Sequence, residues 1–408
     1  YNIYYNYKIK LKNILLNNNT TDRYLNKQID GCEKILFKLT NEKYINSLMK
    51  SLSTIFYDEG TINKFDSNTL LLGLNNGTID LKNNVFRQSL YTDYITMSMG
   101  YSLDVDLNRL PIKLDEINNH LIENIPHYNE RKTDLNMFVM KIIPDLKIRN
   151  YVLQFLAGCL SGEKNNEKMY MWTGSGGNGK SKLLGLMCKV LGEYSCHLPF
   201  ANLTKCNNLE LSSTKGKRLV IMKDIDDKNI NIGLMKELIS GDRLVTRGLY
   251  KNTIEFIPQF NLLLECNELP KFPAYDQGTI RRLEIVKFYS KFVDCGNKIN
   301  DEHIYKCDKN ISIKIDAWDQ IFLGILLEQW LTKETHIPPE IKNNIKLLNT
   351  VFQRWLNDCC EESPFIYIND KYTAPTAFEG LYENYVEWSQ EINLKILSKH
   401  DFKNDILK

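Results

Sequence analysis

A glycine-rich segment near the middle of the chain constrains the fold more than any other feature. Residues 174–181 read Gly-Ser-Gly-Gly-Asn-Gly-Lys-Ser, which fits the complete GxxxxGK[ST] pattern. The apolar residues 169–172 precede this segment, and apolar side chains at helical spacing follow it from Leu183 to Leu191. The sequence therefore predicts a buried strand that continues through a phosphate-binding loop into a helix.

The residues of this loop have separate expected roles. The glycines let the backbone curl so that N–H groups point toward phosphate oxygens, and the following helix adds partial positive charge. We expect an exposed Lys180 side chain to contact the β- and γ-phosphates and the Ser181 hydroxyl to bind Mg²⁺. A glycine-rich turn without a ligand is the alternative, and the predicted strand and helix argue against it. The candidate ligands of ATP and Mg²⁺ are Gly174, Ser175, Gly176, Gly177, Asn178, Gly179, Lys180 and Ser181.

An acidic stretch follows a second apolar segment. Residues 218–222 are predicted to form a buried central strand, and Asp224 and Asp226 come shortly after it. Because α/β sheets bind ligands at the carboxyl ends of their strands, one carboxylate is expected to hold Mg²⁺ and another to orient the attacking water. We place the metal at Asp224, although the reverse assignment of the pair stays open. A solvated acidic turn is the alternative.

Polar residues beside two further predicted strands complete the candidate catalytic set. Asn267 follows the apolar segment 261–265, where its side chain is expected to contact the γ-phosphate or the attacking water. Arg281 and Arg282 precede the apolar segment 283–286. One of them is expected to reach the nucleotide of a neighbouring subunit as an arginine finger. A turn asparagine and a surface ion pair are the respective alternatives.

A predicted hairpin carries the candidate contacts to nucleic acid. Residues 244–250 and 253–257 alternate like two strands, and Lys251 lies at the turn between them. In a ring, several copies of such a turn would form a collar of positive charge suited to a phosphate backbone. Lys251 is therefore the first candidate for DNA contact, with Arg247 and Lys236 as further candidates. A lysine that only aids solubility is the alternative.

The whole chain is predicted to be an α/β protein in three parts. Residues 1–130 form a mainly helical domain that includes a β-hairpin with Asn76-Gly77 at its turn. Residues 131–297 alternate strands and helices, which is typical of a three-layer P-loop motor domain. Residues 298–408 form a helical domain that we take to be incomplete. Apolar patterns predict helices at 148–160, 318–330, 351–355 and 378–388.

Composition excludes some classes of protein. The 408 residues are 43% hydrophobic and 25% charged, which excludes wholesale disorder, and a net charge of +2 means that any basic surface must be local. No apolar run reaches the ~18 residues of a membrane span. The chain begins with Tyr1, and we expect it to be a fragment of a longer protein.

The ten cysteines include no CxxC pair, which indicates a reducing, intracellular compartment rather than a disulfide framework. Cys188, Cys196, His197 and Cys206 come nearest to a metal cluster, but their spacing matches no zinc pattern. We interpret these cysteines as small buried side chains.

The order of these motifs resembles the superfamily 3 helicases, in particular the primase–helicase type of poxviruses, giant DNA viruses and phage satellites. One departure is the acidic stretch, where many relatives carry glutamate and this chain has Asp224 and Asp226 after Lys223. Besides the loop and the acidic stretch, the resemblance rests on residues 234–242, 246–251, 262–270 and 278–283, with weaker similarity at 76–81, 350–355 and 381–388.

This resemblance implies an AAA+-like motor that hydrolyses ATP and translocates as a homo-hexamer on single-stranded or forked DNA. It also implies a primase domain N-terminal to this fragment, other replication proteins as partners, no membrane association, and a replication site in the host cytoplasm or nucleus. The alternative function is another P-loop ATPase, such as a DNA-packaging motor, a protein-remodelling motor or a nucleotide kinase. A third is a non-catalytic module that keeps the loop only to fold. A nucleotide kinase would need an acceptor site and a lid, and the sequence indicates neither of these. A protein-remodelling motor would need aromatic pore residues, whereas this chain has a lysine at the predicted turn.

Overall fold

The computed structural model divides the chain into two compact units, Tyr1–Phe65 and Asp66–Lys408. The residues that the structure describes are 7–14, 23–58, 60–164, 166–204, 210–223, 230–247, 253–270, 277–294, 302–332, 337–344, 378–391 and 396–406.

The first unit is helical where it is described. Residues 7–14 are helical, and they are followed by helix α1 at Arg23–Thr40, helix α2 at Glu42–Ile55 and a single turn at Thr61–Lys64. A small apolar core in this unit is formed by Leu11, Ile29 and Cys32.

The second unit begins with a small antiparallel sheet in the order β1-β2-β3-β4. Its strands are Leu71–Leu74, Gly77–Asp80, Val85–Arg87 and Ile112–Lys113. The sheet lies in a region for which the sequence predicts mainly helices. Strands of two to four residues are too short to show a clear alternation of polar and apolar side chains, so apart from the predicted hairpin they could not be recognised from the sequence.

The predicted hairpin is present as β1 and β2, but its turn differs from the prediction. Leu74 pairs with Gly77, so the turn residues are Asn75 and Asn76, and neither has a positive φ. Gly77 lies in β2, where a Cβ would come 2.5 Å from the Phe86 ring. This glycine is therefore required by the close approach of β3 rather than by a left-handed turn.

Three helices connect the small sheet to the central one. They are α3 at Ile117–Asn124, α4 at Tyr128–Ile142 and α5 at Leu146–Gly158. The α5 helix confirms the prediction for residues 148–160. Its first turn is capped by Asp145, whose side chain accepts the Ile148 N–H at 2.8 Å.

The central sheet has five parallel strands in the order β11-β5-β10-β7-β6. Strand β10 therefore lies between β5, which leads to the glycine-rich loop, and β7, which leads to the acidic stretch. The strands predicted at 169–172, 218–222, 261–265 and 283–286 are confirmed. The five strands are β5 at Met169–Thr173, β6 at Ser195–Pro199, β7 at Leu219–Lys223, β10 at Asn261–Glu265 and β11 at Leu283–Lys287.

Helices and a hairpin separate these strands along the chain. Helix α6 at Lys180–Leu191 follows β5, and helix α7 at Ile232–Ser240 follows β7. Strands β8 at Leu244–Arg247 and β9 at Thr253–Phe256 then form an antiparallel pair.

The C-terminal part contains a short strand pair and several helices. The helices predicted at 318–330 and 378–388 are confirmed, whereas the one predicted at 351–355 lies outside the described residues. The elements are β12 at Lys291–Val293, β13 at Ile304–Lys306, α8 at Ile311–Asp316, α9 at Asp319–Thr332, α10 at Pro339–Asn344, α11 at Phe378–Glu391 and α12 at Lys399–Ile406.

In α9 the structure buries residues 321–327 without interruption, rather than the single face that the sequence predicts. The helix packs against α3, α4, α5 and α6, so little of its surface reaches solvent. Of the helices in the described ranges, none combines the length and the apolar character that crossing a membrane requires.

Side chains that alternate along the central strands enter two separate cores. Tyr170 and Trp172 of β5 face a core shared with α5, α6 and α9. Met169 and Met171 of the same strand face a second core shared with α7 and the β8–β9 pair. The sheet is covered on both faces, which leaves its carboxyl edge to carry a site.

Candidate functional site

The glycine-rich loop runs from β5 into α6 at the carboxyl edge of the central sheet. Gly174, Gly177 and Gly179 have φ values of +141°, +74° and +88°, which residues with side chains rarely adopt. A Cβ at Gly174 would lie 2.4 Å from the Phe288 carbonyl oxygen, and one at Gly179 would lie 2.6 Å from the Ile142 side chain. The predicted strand–loop–helix is therefore confirmed, and its backbone requires three of the glycines.

Lys180 is buried, so the prediction of an exposed side chain is wrong. It is only 3% exposed, and its Nζ donates to the Gly174 carbonyl oxygen at 2.8 Å and to Asn178 Oδ1 at 3.2 Å. Burial lowers the pKa of Lys180, and the nearby Glu265 carboxylate opposes that shift. The Lys180 ammonium group therefore donates to oxygen atoms of its own loop instead of pointing into solvent.

Ser181 is also held by a neighbouring group, and that group is a residue that the sequence reasoning missed. The Ser181 hydroxyl donates a short hydrogen bond to Glu265 Oε1. Glu265 is 8% exposed, and its Oε2 lies 2.9 Å from Lys223 Nζ. Glu265 ends strand β10, and a carboxylate at the carboxyl end of a buried strand is the same signal that drew attention to the acidic stretch.

Two asparagines contribute polar groups to the loop. Asn178 is buried, and its Nδ2 group has no hydrogen-bond acceptor among the residues that the structure describes. The Asn267 carbonyl oxygen accepts the Thr173 hydroxyl at 2.9 Å and the Gly174 N–H at 3.4 Å, while its side chain is exposed. The structure therefore brings the Asn267 backbone to Thr173 and Gly174, where the loop begins.

Asp224 and Asp226 lie outside the described residues. Lys223, the last residue of β7, is described and lies beside Glu265, because Met222 is paired with Leu264 in the parallel register. Strand β7, which the acidic stretch follows in the sequence, therefore ends one strand away from the residue that contacts Ser181.

The two arginines lie at the opposite edge of the sheet. They precede β11, whose first residue is level with Met169 at the start of β5. Arg282 donates to Glu167 at 2.5 Å and to the Gly278 carbonyl oxygen at 2.9 Å. The Arg281 side chain is exposed. Neither arginine is near the loop of its own chain, and Arg282 is already engaged.

The hairpin that carries the DNA candidates is formed as far as it is described. Arg247 is the last residue of β8 and pairs with Thr253 of β9. Lys251 lies in the turn, outside the described residues. Lys236 lies on α7 and is partly exposed.

Two members of the cysteine and histidine group considered as a metal cluster are in contact. Cys188 Sγ lies 3.7 Å from His197 Nε2. Cys206 lies outside the described residues. In the part of the chain that is described, no three His, Cys, Asp or Glu residues are grouped to hold a metal ion.

Two family models match the chain at separate places. A family described as D5 N terminal like matches residues 4–126, and a family of unknown function (DUF5906) matches residues 172–282. The second match begins in β5 and ends at Arg282, so it spans the loop, the hairpin and Asn267.

Curated relatives come from large DNA viruses. A protein of Acanthamoeba polyphaga mimivirus with the provisional name of a helicase is 32% identical over 375 residues, which cover 87% of this chain and 36% of that protein. A provisionally named helicase of Invertebrate iridescent virus 3 is 28% identical, over 68% of this chain and 29% of that protein. A provisionally named primase of African swine fever virus is 22% identical, over 66% and 27% respectively. The chain thus spans about a third of the length of these relatives.

The chain is of the viral primase–helicase type that its motifs resemble. Among solved structures, the apo C terminal region of NrS-1 gives a TM-score of 0.42 at 16% identity, over 56% of this chain and 53% of that one. The JCV helicase gives 0.34 at 14% identity, over 58% and 64%. Both scores are below 0.5, and we draw no conclusion from either likeness.

Proposed function

We propose that this chain is the ATP-driven motor of a viral primase–helicase, and that it translocates along single-stranded DNA as a hexameric ring of the superfamily 3, AAA+-like kind. The observation that carries the proposal is the donor set at the glycine-rich loop. Lys180 Nζ, the Ser181 hydroxyl and Asn178 Nδ2 all lie at one sheet edge, beside the start of α6. Such donors suit an anion, and a helix N-terminus adds to that preference.

The residues present fit a nucleoside triphosphate with Mg²⁺. Within the described part of the chain the buried Asn178 amide has no hydrogen-bond acceptor, and a phosphate oxygen would provide one once the loop opened around it. Phosphate oxygens would likewise replace the Gly174 and Asn178 oxygens that now hold Lys180. Mg²⁺, when bound, would polarise the phosphate and neutralise its charge.

The carboxylates at this edge would bind the metal ion and orient the attacking water. Ser181 must leave Glu265 to become a metal ligand, and that exchange frees Glu265 to accept a hydrogen bond from water. Asp224 remains the proposed metal carboxylate, and Asp226 and Asn267 remain proposed contacts to water or the γ-phosphate. Glu265 joins this set because it contacts Ser181 directly.

The remaining candidates are proposed to contact a neighbouring subunit or DNA rather than the nucleotide at the loop of their own chain. Arg281, exposed at the amino edge, is the proposed finger for a neighbouring subunit, since Arg282 is paired with Glu167. Lys251, with Arg247 and Lys236, is the proposed DNA contact. A primase domain elsewhere in the full protein and other replication proteins are the proposed partners.

The test is ATP hydrolysis by the purified chain with and without single-stranded DNA. We expect hydrolysis to need Mg²⁺ and to increase several-fold with single-stranded DNA. Equal stimulation by duplex DNA would favour a packaging motor, and no effect of DNA would favour a protein-remodelling motor. No hydrolysis under any of these conditions would contradict the proposal.

A further inference from the structure

The first unit carries an excess of positive charge that the rest of the chain lacks. Residues 1–65 include ten Lys and Arg residues against six Asp and Glu residues, whereas the whole chain has 52 against 50. The remainder of the chain is therefore slightly acidic. Positive charge that is concentrated in one part of a protein attracts an anionic partner to that part.

Four of these basic residues form one face of helix α1. Their spacing places them within about 60° of one another around a helix of about 3.6 residues per turn, and all four are exposed. They are Arg23, Lys27, Lys34 and Lys38, and we call them the basic face of α1. Ile29 and Cys32 lie on the opposite side of the helix, in the core of the unit. The basic face is therefore the solvent side of α1.

Two acidic residues lie close to the basic face and leave it positively charged. Glu33 is already paired, because its Oε1 lies 2.7 Å from Lys8 Nζ and 3.6 Å from Lys12 Nζ. Asp30 lies within the face, as one carboxylate among four cations. The helical residues 7–14 thus bring two lysines to one carboxylate, and positive charge exceeds negative charge over the whole surface.

Two exposed aromatic rings accompany the lysines of this face. Phe37 is 71% exposed, and it lines a shallow hollow with Lys34, Lys38 and the two acidic residues. Tyr44 of α2 is 41% exposed, and its ring centroid lies 5.5 Å from Lys38 Nζ. A ring as exposed as that of Phe37 adds little to the packing of the described helices. It can instead stack on a base.

Lysines together with exposed rings favour one class of anionic partner. The bases of a duplex are stacked inside it, whereas those of a single strand can stack on a ring while its phosphates contact lysines. A membrane surface would need a broad apolar face, and the apolar face of α1 is buried in the core. We infer that the basic face of α1, with Phe37 and Tyr44, binds a single strand of nucleic acid. This surface is separate from the predicted hairpin, so it adds a second contact with the strand to the proposed function.

A comparison of strands with and without bases tests this inference most directly. The full chain is titrated without nucleotide into labelled oligothymidine, and into an oligomer of the same length and charge whose sugars carry no bases. Fluorescence anisotropy reports the binding. All titrations use the Lys251→Ala background, which removes the proposed contact of the hairpin. We expect oligothymidine to bind at least about fivefold more tightly than the oligomer without bases, because its bases can stack on the rings.

Phe37→Ala should abolish that preference. We expect the affinity for oligothymidine to fall at least about fivefold, while the affinity for the oligomer without bases stays the same. The matched control is Phe56→Ala, because Phe56 is 76% exposed and lies at the other end of α2 from Tyr44. This control should bind both oligomers as the unaltered ring does. Thermal unfolding of each variant checks that the fold is kept.

Lys34→Ala/Lys38→Ala tests the charge of the basic face. Each phosphate contact with a single strand contributes about 0.7 to the slope of log affinity against log salt concentration. The slope should therefore decrease in magnitude by about 1.4 in this double variant. Lys50→Ala/Lys64→Ala removes two exposed lysines of the same unit that lie outside the face, and it should leave the slope unchanged.

Oligouridine of the same length identifies the source of the strand. Tighter binding of oligothymidine would identify DNA, tighter binding of oligouridine would identify RNA, and equal binding would identify both. Each of these results supports a site for a single strand.

Equal affinity for the oligomers with and without bases, or an unchanged affinity for oligothymidine in Phe37→Ala, would overturn the inference. Tighter binding of a polyglutamate peptide than of oligothymidine would identify an acidic protein as the partner, and would also overturn it. A chain that binds the strand through this face but does not hydrolyse ATP would contradict the proposed function alone.

Discussion

The polar side chains at the two edges of the central sheet differ in how they are paired. At the carboxyl edge the charged groups are mutually engaged, since Lys180 is held by loop oxygens and Glu265 by Ser181 and Lys223, and the unpartnered amide there is a donor. At the amino edge, Glu284 has one buried oxygen with no hydrogen-bond donor among the described residues, and its other oxygen lies 3.3 Å from Lys168 Nζ. The charged groups of the carboxyl edge are thus more closely paired than this carboxyl group of the amino edge.

This difference shows two ways in which one sheet keeps buried ionisable groups. A buried ammonium or carboxylate is costly without a partner, so the carboxyl edge holds Lys180 and Glu265 on neighbouring polar groups. At the amino edge, burial raises the pKa of Glu284 to about 7, so this carboxyl group is partly uncharged at neutral pH.

Lys180→Ala should have the largest effect and should act on the carboxyl edge alone. We expect ATP hydrolysis to fall about 10²–10³-fold, because a charge that stabilises the transition state is lost. The free energy of unfolding should also fall by about 1–3 kcal/mol, because the Gly174 and Asn178 oxygens lose their donor. Lys182→Ala, an exposed lysine two residues along α6, is the control. Near-wild-type turnover in Lys180→Ala would refute the assigned role.

Glu265→Gln should come second, and it tests the residue that only the structure identified. We expect hydrolysis to fall roughly 10²-fold while ATP still binds, since the variant removes the carboxylate that can act on water but keeps the loop donors. Glu268→Gln, an exposed carboxylate three residues further on, is the control.

Asp224→Asn made alongside sharpens the assignment of the carboxylates. It should also lose hydrolysis more than nucleotide binding. If Asp226→Asn alone is damaging, the metal and water roles of the acidic pair are the reverse of those proposed.

Lys251→Ala should have an intermediate effect on a different readout. We expect the ratio of DNA-stimulated to basal hydrolysis to fall toward one, and the salt dependence of DNA binding to flatten as phosphate contacts are lost. Lys215→Ala, a lysine outside the predicted hairpin, is the matched control. Unchanged stimulation would move the DNA contact to Arg247 or Lys236.

Mixing two variants should give the smallest change in ATPase activity. The experiment tests whether an arginine at the amino edge of one subunit acts on the nucleotide at the carboxyl edge of another. Lys180→Ala subunits mixed with Arg281→Ala subunits should regain part of the ATPase activity, because some interfaces then combine an intact loop with an intact arginine. Arg282→Ala should instead lower thermal stability, since it breaks the pair with Glu167. Mixed rings with no regained activity would argue against action in trans.

The central sheet and its glycine-rich loop could be predicted from the sequence because their signals are local. A glycine pattern between an apolar run and a helical repeat allows few backbones, and the four predicted strands and the loop are where they were expected. Asn267 was singled out for the same reason, as a polar residue after a buried strand, and its predicted contact with phosphate or water stays a prediction. Glu265 obeys the same rule, but it ends the strand itself, and only the strand order places it against Ser181.

Other features depend on contacts that a linear pattern does not encode. The burial of Lys180 follows from a loop that closes on its own lysine, and the role of Gly77 follows from the position of Phe86. The engagement of Arg282 depends on Glu167, which lies more than a hundred residues away in the chain. A cavity at the amino edge of the central sheet combines residues of α5, β5, β10, β11 and α9, which are far apart in the sequence.

Strand displacement from a forked DNA duplex tests the central claim most directly. The account predicts that the chain separates the strands only with hydrolysable ATP and Mg²⁺, that Lys180→Ala does not, and that Lys182→Ala does. ATP hydrolysis that proceeds at a normal rate while the fork stays intact, in a preparation confirmed to form rings, would contradict the claim that this motor is a helicase.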